Sequence, residues 1–260
     1  MNIITNGVRL HVEDHGQGPT VLVFLHYWGG SSRTWRDVIG ALGSGVRCIA
    51  IDQRGWGQSD APAGGYALAD LAADAEGVIS AVGLERYILV GHSMGGKVVQ
   101  LIASRRPAGL QGLVLVAPSP PSPMALPLEV RRGMVHAYDD RASVIATVEQ
   151  VLAGSPLQAD RLERVVADSV AGAAPAKTAW PLATSQEDIS QVVAAIDAPT
   201  LVISGTEDRV DPPEILRAAL LPRIPQARLQ LLPGIGHLSP LEAPADLAAA
   251  ITIFADSLAA

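Results

Sequence analysis

The stretch Gly91-His92-Ser93-Met94-Gly95-Gly96 constrains this chain more than any other. Before it runs Tyr87-Ile88-Leu89-Val90, a short apolar run of strand character. After it runs Lys97-Val98-Val99-Gln100-Leu101-Ile102-Ala103, which has the spacing of a helix. A strand that passes into a helix within so few residues must turn sharply, and the positions two before and two after the serine then have no room for side chains. Gly91 and Gly95 meet that demand, and Gly96 lets the helix pack close. Such a turn presents the Ser93 hydroxyl at the C-terminal end of the strand, beside the N–H groups that open a helix. Developing negative charge is favoured there.

The same strand-then-helix rhythm runs through the first half of the chain. Val8 to Val12 and Thr20 to Leu25 read as strands around a Gly16-Gln17-Gly18-Pro19 turn. A helix follows over about 34–42, a third apolar strand over Val46 to Ile51, and an alanine-rich helix over Leu68 to Val82. Leu113 to Val116 reads as the strand after the serine-bearing helix. Near-continuous apolar strands alternating with helices predict an α/β fold with a mostly parallel central sheet, covered by helices on both faces. The tract Pro118-Ser119-Pro120-Pro121-Ser122-Pro123 breaks the rhythm, because it suits neither helix nor central strand. Helical patterns then run over Asp140 to Leu152 and Ala159 to Val170 with no strand between. Residues 118–185 are therefore expected to form a helical cap over a core made of 1–117 and 186–260. Strands resume at Thr200 to Gly205 and Arg228 to Leu232, and a last helix is expected over Pro244 to Ser257.

Composition narrows the classes of function. A net charge of −7 argues against nucleic acid or an anionic membrane as the main partner. The single cysteine, Cys48, lies within an apolar strand, excludes an intrachain disulfide framework and suits a reducing compartment. No signal-peptide pattern opens the chain and no apolar run reaches the ~18 residues of a membrane span, so a cytoplasmic location is expected. No Walker motif, dinucleotide fingerprint or zinc-ligand cluster is present, so neither cofactor nor metal is implied.

A serine needs a base within reach, and that base needs an orienting acid. His237, in Pro233-Gly234-Ile235-Gly236-His237, follows the last strand and so lies at the same sheet edge as Ser93. Asp208, in Gly205-Thr206-Glu207-Asp208, follows the preceding strand. Glu207 and Asp211 stand close enough to compete for the acid role, although Asp211 before Pro212-Pro213 reads as a turn and helix-entry cap. His92 is expected to point away from the reacting side, and His11, His15 and His136 to be surface or packing residues. The order Ser93, Asp208, His237 is the serine–acid–histidine order of the α/β-hydrolases.

Over nearly its whole length the chain resembles the α/β-hydrolase-fold family, and within it the small serine esterases and cofactor-free haloperoxidase-like hydrolases with a helical cap. The resemblance rests on the serine turn, on Asp52-Gln53-Arg54-Gly55-Trp56-Gly57-Gln58-Ser59, which is similar to D-x-R-G-x-G-x-S, and on Gly236-His237 followed by Glu242 and Pro244. It implies a structural loop with no catalytic role for Asp52 and Arg54. It also implies an oxyanion hole from the backbone N–H groups of Met94 and Trp28, with His26 bracing the second loop. Tyr27 stands where the family has glycine, which leaves the Tyr27 N–H as an alternative donor. The resemblance implies a hydrolase of a small or medium carboxylic ester or lactone, acting through an acyl-enzyme on Ser93. Tyr27, Trp28, Leu126, Leu128 and Trp180 are the candidates to line its pocket. A C–C bond hydrolase or perhydrolase would reuse the same triad, and a small-molecule receptor would bind without turnover. The sequence leaves acyl and alcohol preference, stereochemistry and oligomeric state open.

Overall fold

A computed structural model describes residues 1–258. The chain runs β1 (Asn2–Thr5), β2 (Val8–His15), β3 (Thr20–Leu25), α1 (Arg36–Leu42), β4 (Val46–Ile51), α2 (Leu68–Val82), β5 (Tyr87–His92), α3 (Met94–Ser104) and β6 (Leu110–Val116). Four helices follow without a strand: α4 (Leu128–Met134), α5 (Arg141–Thr147), α6 (Ala159–Ala171) and α7 (Ala174–Leu182). The alternation resumes with β7 (Thr200–Gly205), α8 (Pro213–Ala219), β8 (Arg228–Leu232), α9 (Ser239–Glu242) and α10 (Pro244–Ser257).

The strands form one eight-stranded sheet in the order β1-β2-β4-β3-β5-β6-β7-β8. β1 and β2 pair antiparallel, as do β2 and β4, and from β4 to β8 every pair is parallel. The expected fold class is therefore the observed one. Side chains alternate between two apolar layers, as strand geometry requires. Val23, Leu25, Ile49, Leu89, Leu115 and Val202 belong with α2 and α3, while Phe24, Cys48, Val90, Val116 and Ile203 belong with Trp35, Val38, Leu247 and Ile251. Coverage on both faces is why these strands lack a polar alternation.

Three local differences from the sequence expectations have simple causes. β1 is a strand without an apolar run or a clear alternation of its own. It joins β2 through Asn6-Gly7, both with positive φ (50° and 73°), the backbone of a tight hairpin turn. The helix expected from residue 34 begins as a 3₁₀ turn over Ser32–Trp35 before α1. The helix expected over Asp140 to Leu152 is α5, capped by Asp140, whose carboxylate accepts the Ser143 N–H at 2.8 Å, continued by a π-turn over Val148–Leu152.

The excursion between β6 and β7 is pinned where it leaves and where it returns. Met124 N–H donates to the Ser185 carbonyl (3.0 Å) and Ile189 N–H to that of Pro121 (2.9 Å). The ammonium of Lys97, fully buried on α3, donates to the carbonyls of both Ser122 (3.0 Å) and Ser185 (3.3 Å). Burial brings its pKa down to about 8, against the nearby charges of Glu187, Asp188 and Asp211.

Candidate active site

Ser93 sits between β5 and α3 with φ 52° and ψ −113°, a strained conformation for a residue with a side chain. Its own backbone locks it there: its N–H donates to the Val116 carbonyl (3.1 Å), and its carbonyl accepts from the N–H groups of Lys97 and Ser119 (both 3.1 Å). The flanking glycines are required by space. A Cβ on Gly91 would lie 2.5 Å from the Gly95 carbonyl oxygen, and one on Gly95 would lie 2.5 Å from that of Leu25. The turn therefore leaves the Ser93 side chain facing a cavity of about 770 Å³.

His237 lines the same cavity and is almost wholly buried. Its Nδ1 meets both Asp208 carboxylate oxygens, at 2.9 and 3.1 Å, which makes Nδ1 the donor and leaves Nε2 unprotonated when the ring is neutral. Nε2 has no hydrogen-bond partner among the described residues, and neither has the Ser93 hydroxyl. Burial works to lower the His237 pKa, but the charge and hydrogen bond of Asp208, with the charges of Asp211 and Glu242, outweigh it and raise it. Burial in turn works to raise the Asp208 pKa. The His237 charge, its hydrogen bond and the N–H groups of Asp211 and Val210 bring it below the usual carboxylate range.

Two further histidines hold this geometry. His92 Nε2 donates to the His237 carbonyl at 2.8 Å, so its protonated nitrogen props the loop that carries His237. Burial and the neighbouring His237 push the His92 pKa down to about 3, which keeps the ring neutral with Nδ1 unpartnered. Glu242 braces the same loop by accepting the N–H groups of Gly236 (3.0 Å) and Gly154 (2.8 Å). His26 accepts the Gln53 N–H on Nε2 (3.1 Å) and donates from Nδ1 to the Tyr27 carbonyl (2.7 Å). That fixes its tautomer and ties the Tyr27–Trp28 loop to the end of β4.

In that neighbouring loop Asp52 accepts from the N–H groups of Ser32 (2.6 Å) and Gln58 (2.8 Å), and Arg54 forms a buried two-pronged pair with Asp74 (both 2.6 Å). These contacts are loop architecture, directed away from the cavity.

The N–H groups of Tyr27, Trp28 and Met94 donate to no acceptor among the described residues, so all three remain available to an oxyanion. The Met94 side chain is buried behind the turn and does not line the cavity. The Trp28 loop is held from the helical excursion as well. Tyr138 Oη donates to the Trp28 carbonyl (2.9 Å), Ser169 Oγ to that of Gly29 (2.7 Å), and Trp28 Nε1 to that of Lys177 (3.2 Å). Tyr138 packs on the Trp28 ring with centroids 4.4 Å apart. No sequence pattern announced Tyr138 or Ser169, because their contacts reach more than a hundred residues along the chain.

Of the expected pocket residues, Tyr27, Trp28, Leu126 and Trp180 line the cavity. Leu128 does not: it is 44% exposed, at the first position of α4. Val130, Gly133 and Met134 line the cavity, and a residue two before Val130 falls on the opposite side of the helix. Asp211 also departs from expectation. α8 is preceded by Pro212, and Asp211 makes no side-chain cap. Its carboxyl lines the cavity instead. Among the described residues no group of three or more His, Cys, Asp or Glu is arranged to hold a metal ion, and no helix is long and apolar enough to cross a membrane.

Residues 20–244 match the family described as alpha/beta hydrolase fold. The chain is 30% identical over 255 residues to a non-heme haloperoxidase of Rhodococcus erythropolis, covering 90% of each chain. Among solved structures it is similar to an esterase from Exiguobacterium antarcticum, with a TM-score of 0.90, 23% identity and 98% of each chain covered. It is similar also to an enol-lactonase from Burkholderia xenovorans, with a TM-score of 0.84, 23% identity and 98% and 99% coverage.

Proposed function

The chain belongs to the alpha/beta hydrolase fold family, and from that premise we propose that it is a serine hydrolase of small or medium carboxylic esters or lactones, acting through an acyl-enzyme on Ser93. The observation that carries the reading is one of geometry. The Asp208 carboxylate holds His237 by Nδ1, and the free Nε2 shares a cavity with a serine on a strained turn.

In the proposed reaction His237 Nε2 takes the hydroxyl proton as Ser93 Oγ bonds to the ester carbonyl carbon. The negative charge that develops on the carbonyl oxygen is met by the N–H groups of Met94 and of Trp28 or Tyr27. Collapse of this intermediate breaks the bond to the alcohol oxygen, which receives the proton from His237. A water molecule then gives a proton to His237 and bonds to the acyl carbon, and the acid leaves as Ser93 recovers its proton. Asp208 stabilises the imidazolium in both halves. Residues 118–185 act as the cap, and the acyl or alcohol chain lies between them and the sheet edge, against Leu126, Trp180 and Trp28.

Turnover of short acyl esters by the wild type, its loss in Ser93→Ala, and a phosphonate adduct mapped to Ser93 by mass spectrometry test the reading. A receptor would bind the same ligands and release no product. The relative named a haloperoxidase favours one second reading. Hydrogen peroxide in place of water would bond to the same acyl carbon and leave as a peracid, with the same proton transfers. Peracid formed from an ester and peroxide, and lost with Ser93→Ala, is its signature.

A further inference from the structure

Among the ionisable side chains that line the cavity, Asp211 is a buried carboxyl that the proposed reaction does not use. Asp211 is more than nine-tenths buried (8% exposed) and lines the cavity together with Ser93 and His237. Among the described residues neither of its carboxylate oxygens has a hydrogen bond or an ion pair, although its backbone N–H donates to Asp208 at 3.0 Å. The groups that could neutralise it are all occupied. The Lys97 ammonium is spent on the Ser122 and Ser185 carbonyls, Arg209 donates to the carbonyls of Gln150 and Ala153, and His237 Nδ1 belongs to Asp208. The walls of the cavity are largely apolar, with Leu126, Val130, Met134, Leu152, Trp180 and Ile215 among them. An unpaired buried carboxyl costs stability and contributes no contact to the fold. Its place on the cavity wall sets it against whatever the cavity receives.

Resting on the reading of Ser93 as nucleophile, we propose that Asp211 is the recognition group of the pocket, accepting a hydrogen bond from a neutral O–H or N–H donor on the ester or lactone substrate. A neutral donor fits both states of the acid. It bonds to a carboxylate oxygen when the group is ionised and to the acid's C=O when it is protonated. Burial pushes the Asp211 pKa up to about 7, with Asp208 adding to the rise and His237 and Lys97 opposing it, so both states are present near neutrality. A permanent cation would pair with only one of them, and would itself have to shed its water in a cavity of mainly apolar walls.

The test compares kcat/KM within matched pairs on one enzyme preparation. The pairs are ethyl butyrate with ethyl 3-hydroxybutyrate, ethyl valerate with ethyl N-acetylglycinate, and propyl butyrate with 2-hydroxyethyl butyrate; choline butyrate is the cationic probe. Each ratio cancels the fraction of folded enzyme, so a variant that folds poorly still reports. At least one donor-bearing ester should exceed its partner by about tenfold or more in the wild type, because a site built to bond a polar group rejects the analogue lacking it. Asp211→Val should bring that ratio close to one. Asp211→Asn, which keeps a carbonyl acceptor, should retain part of it. If Asp211 acted only through its charge on His237, all substrates would change together and the ratio would survive in Asp211→Val, which overturns the inference. So does a wild type without any donor preference, or with a preference for the choline ester. Plain esters turned over in a Ser93-dependent way without donor preference sink the recognition role alone. Absence of any Ser93-dependent turnover sinks the hydrolase reading and this inference with it.

Discussion

At the scale of single residues, the serine is held in a conformation that its side chain does not favour. Strain of this kind is worth ~1–3 kcal/mol and persists because Val116, Lys97 and Ser119 fix the backbone on both sides. The hydroxyl itself has no hydrogen bond among the described residues, so Ser93→Ala is expected to melt with the wild type while kcat falls on the order of 10⁶. Ser93→Gly, inactive as well, should be more stable than Ser93→Ala by about 1 kcal/mol in urea unfolding, since glycine accepts positive φ. Equal stability of the two would mean that the turn is not strained in solution.

The proposed acid and base have separable signatures. Asp208→Asn replaces an acceptor of the Nδ1–H by an amide that can favour the other tautomer, and kcat is expected to fall on the order of 10⁴ with KM little changed. In its proposed role as base His237 must be neutral, and its pKa is raised above the ordinary 6.5. Activity is therefore expected to fall with decreasing pH through a midpoint above 6.5. Asp211 titrates in the same range, so the midpoint belongs to the coupled group of His237, Asp208 and Asp211. The Asp211 charge helps to raise His237, so Asp211→Asn should move the acid limb of kcat/KM to lower pH. A shift upward would contradict the sign assigned to that charge.

At the scale of elements, Lys97 joins the serine-bearing helix to both ends of the helical excursion. Its folded pKa of about 8 lies below the ordinary 10.5, so the folded protein sheds this proton before the unfolded chain does. The sign follows: between about pH 8 and 10.5 the unfolded state binds more protons, and stability contributed at this site rises with pH. The difference in unfolding free energy between wild type and Lys97→Met should grow in favour of the wild type across that window, by on the order of 2–3 kcal/mol. Taking the difference removes the opposing titration of Cys48, pushed up to about 12 by burial. A flat difference would place the ammonium in contact with solvent.

The same scale shows what was legible beforehand. β3, β4, β5 and β7 announce themselves because burial on both faces leaves them apolar over most of their length, and α2 and α10 because a helical stripe faces the sheet. The Ser93 turn is legible because glycine is the only residue its steric limits admit. β1 has no such signature, since one edge strand with exposed and half-buried residues carries little pattern beyond the Asn6-Gly7 turn. Leu128 was misplaced because apolar character alone does not give the phase of a helix. Asp211 was misread because the sequence before a proline looks like a cap, whereas the direction of a loop side chain is set by the fold around it.

At the scale of the whole molecule, parallel strands bring residues far apart in sequence to one edge, and the helices between β6 and β7 close the space above it. The depth of that space is thus expected to depend on side chains outside the sheet. Leu126 is 41% exposed where it lines the cavity, and Trp180 is 4% exposed within it, whereas Leu128 faces away. Removing a methylene contact in such a pocket is worth ~1–3 kcal/mol in kcat/KM for substrates long enough to make it. Across acetate to octanoate esters, Leu126→Ala should lower kcat/KM for the longer acyl or alcohol chains and leave acetate unchanged. Trp180→Phe, chosen over alanine to limit the cavity left in the core, should shift the preference toward bulkier groups. Leu128→Ala, which changes only an exposed face of α4, should leave the whole profile within about twofold. If Leu128→Ala reshaped the profile as Leu126→Ala is expected to, α4 would have to turn its other face to the substrate in solution, and the cap arrangement proposed for 118–185 would fail with it.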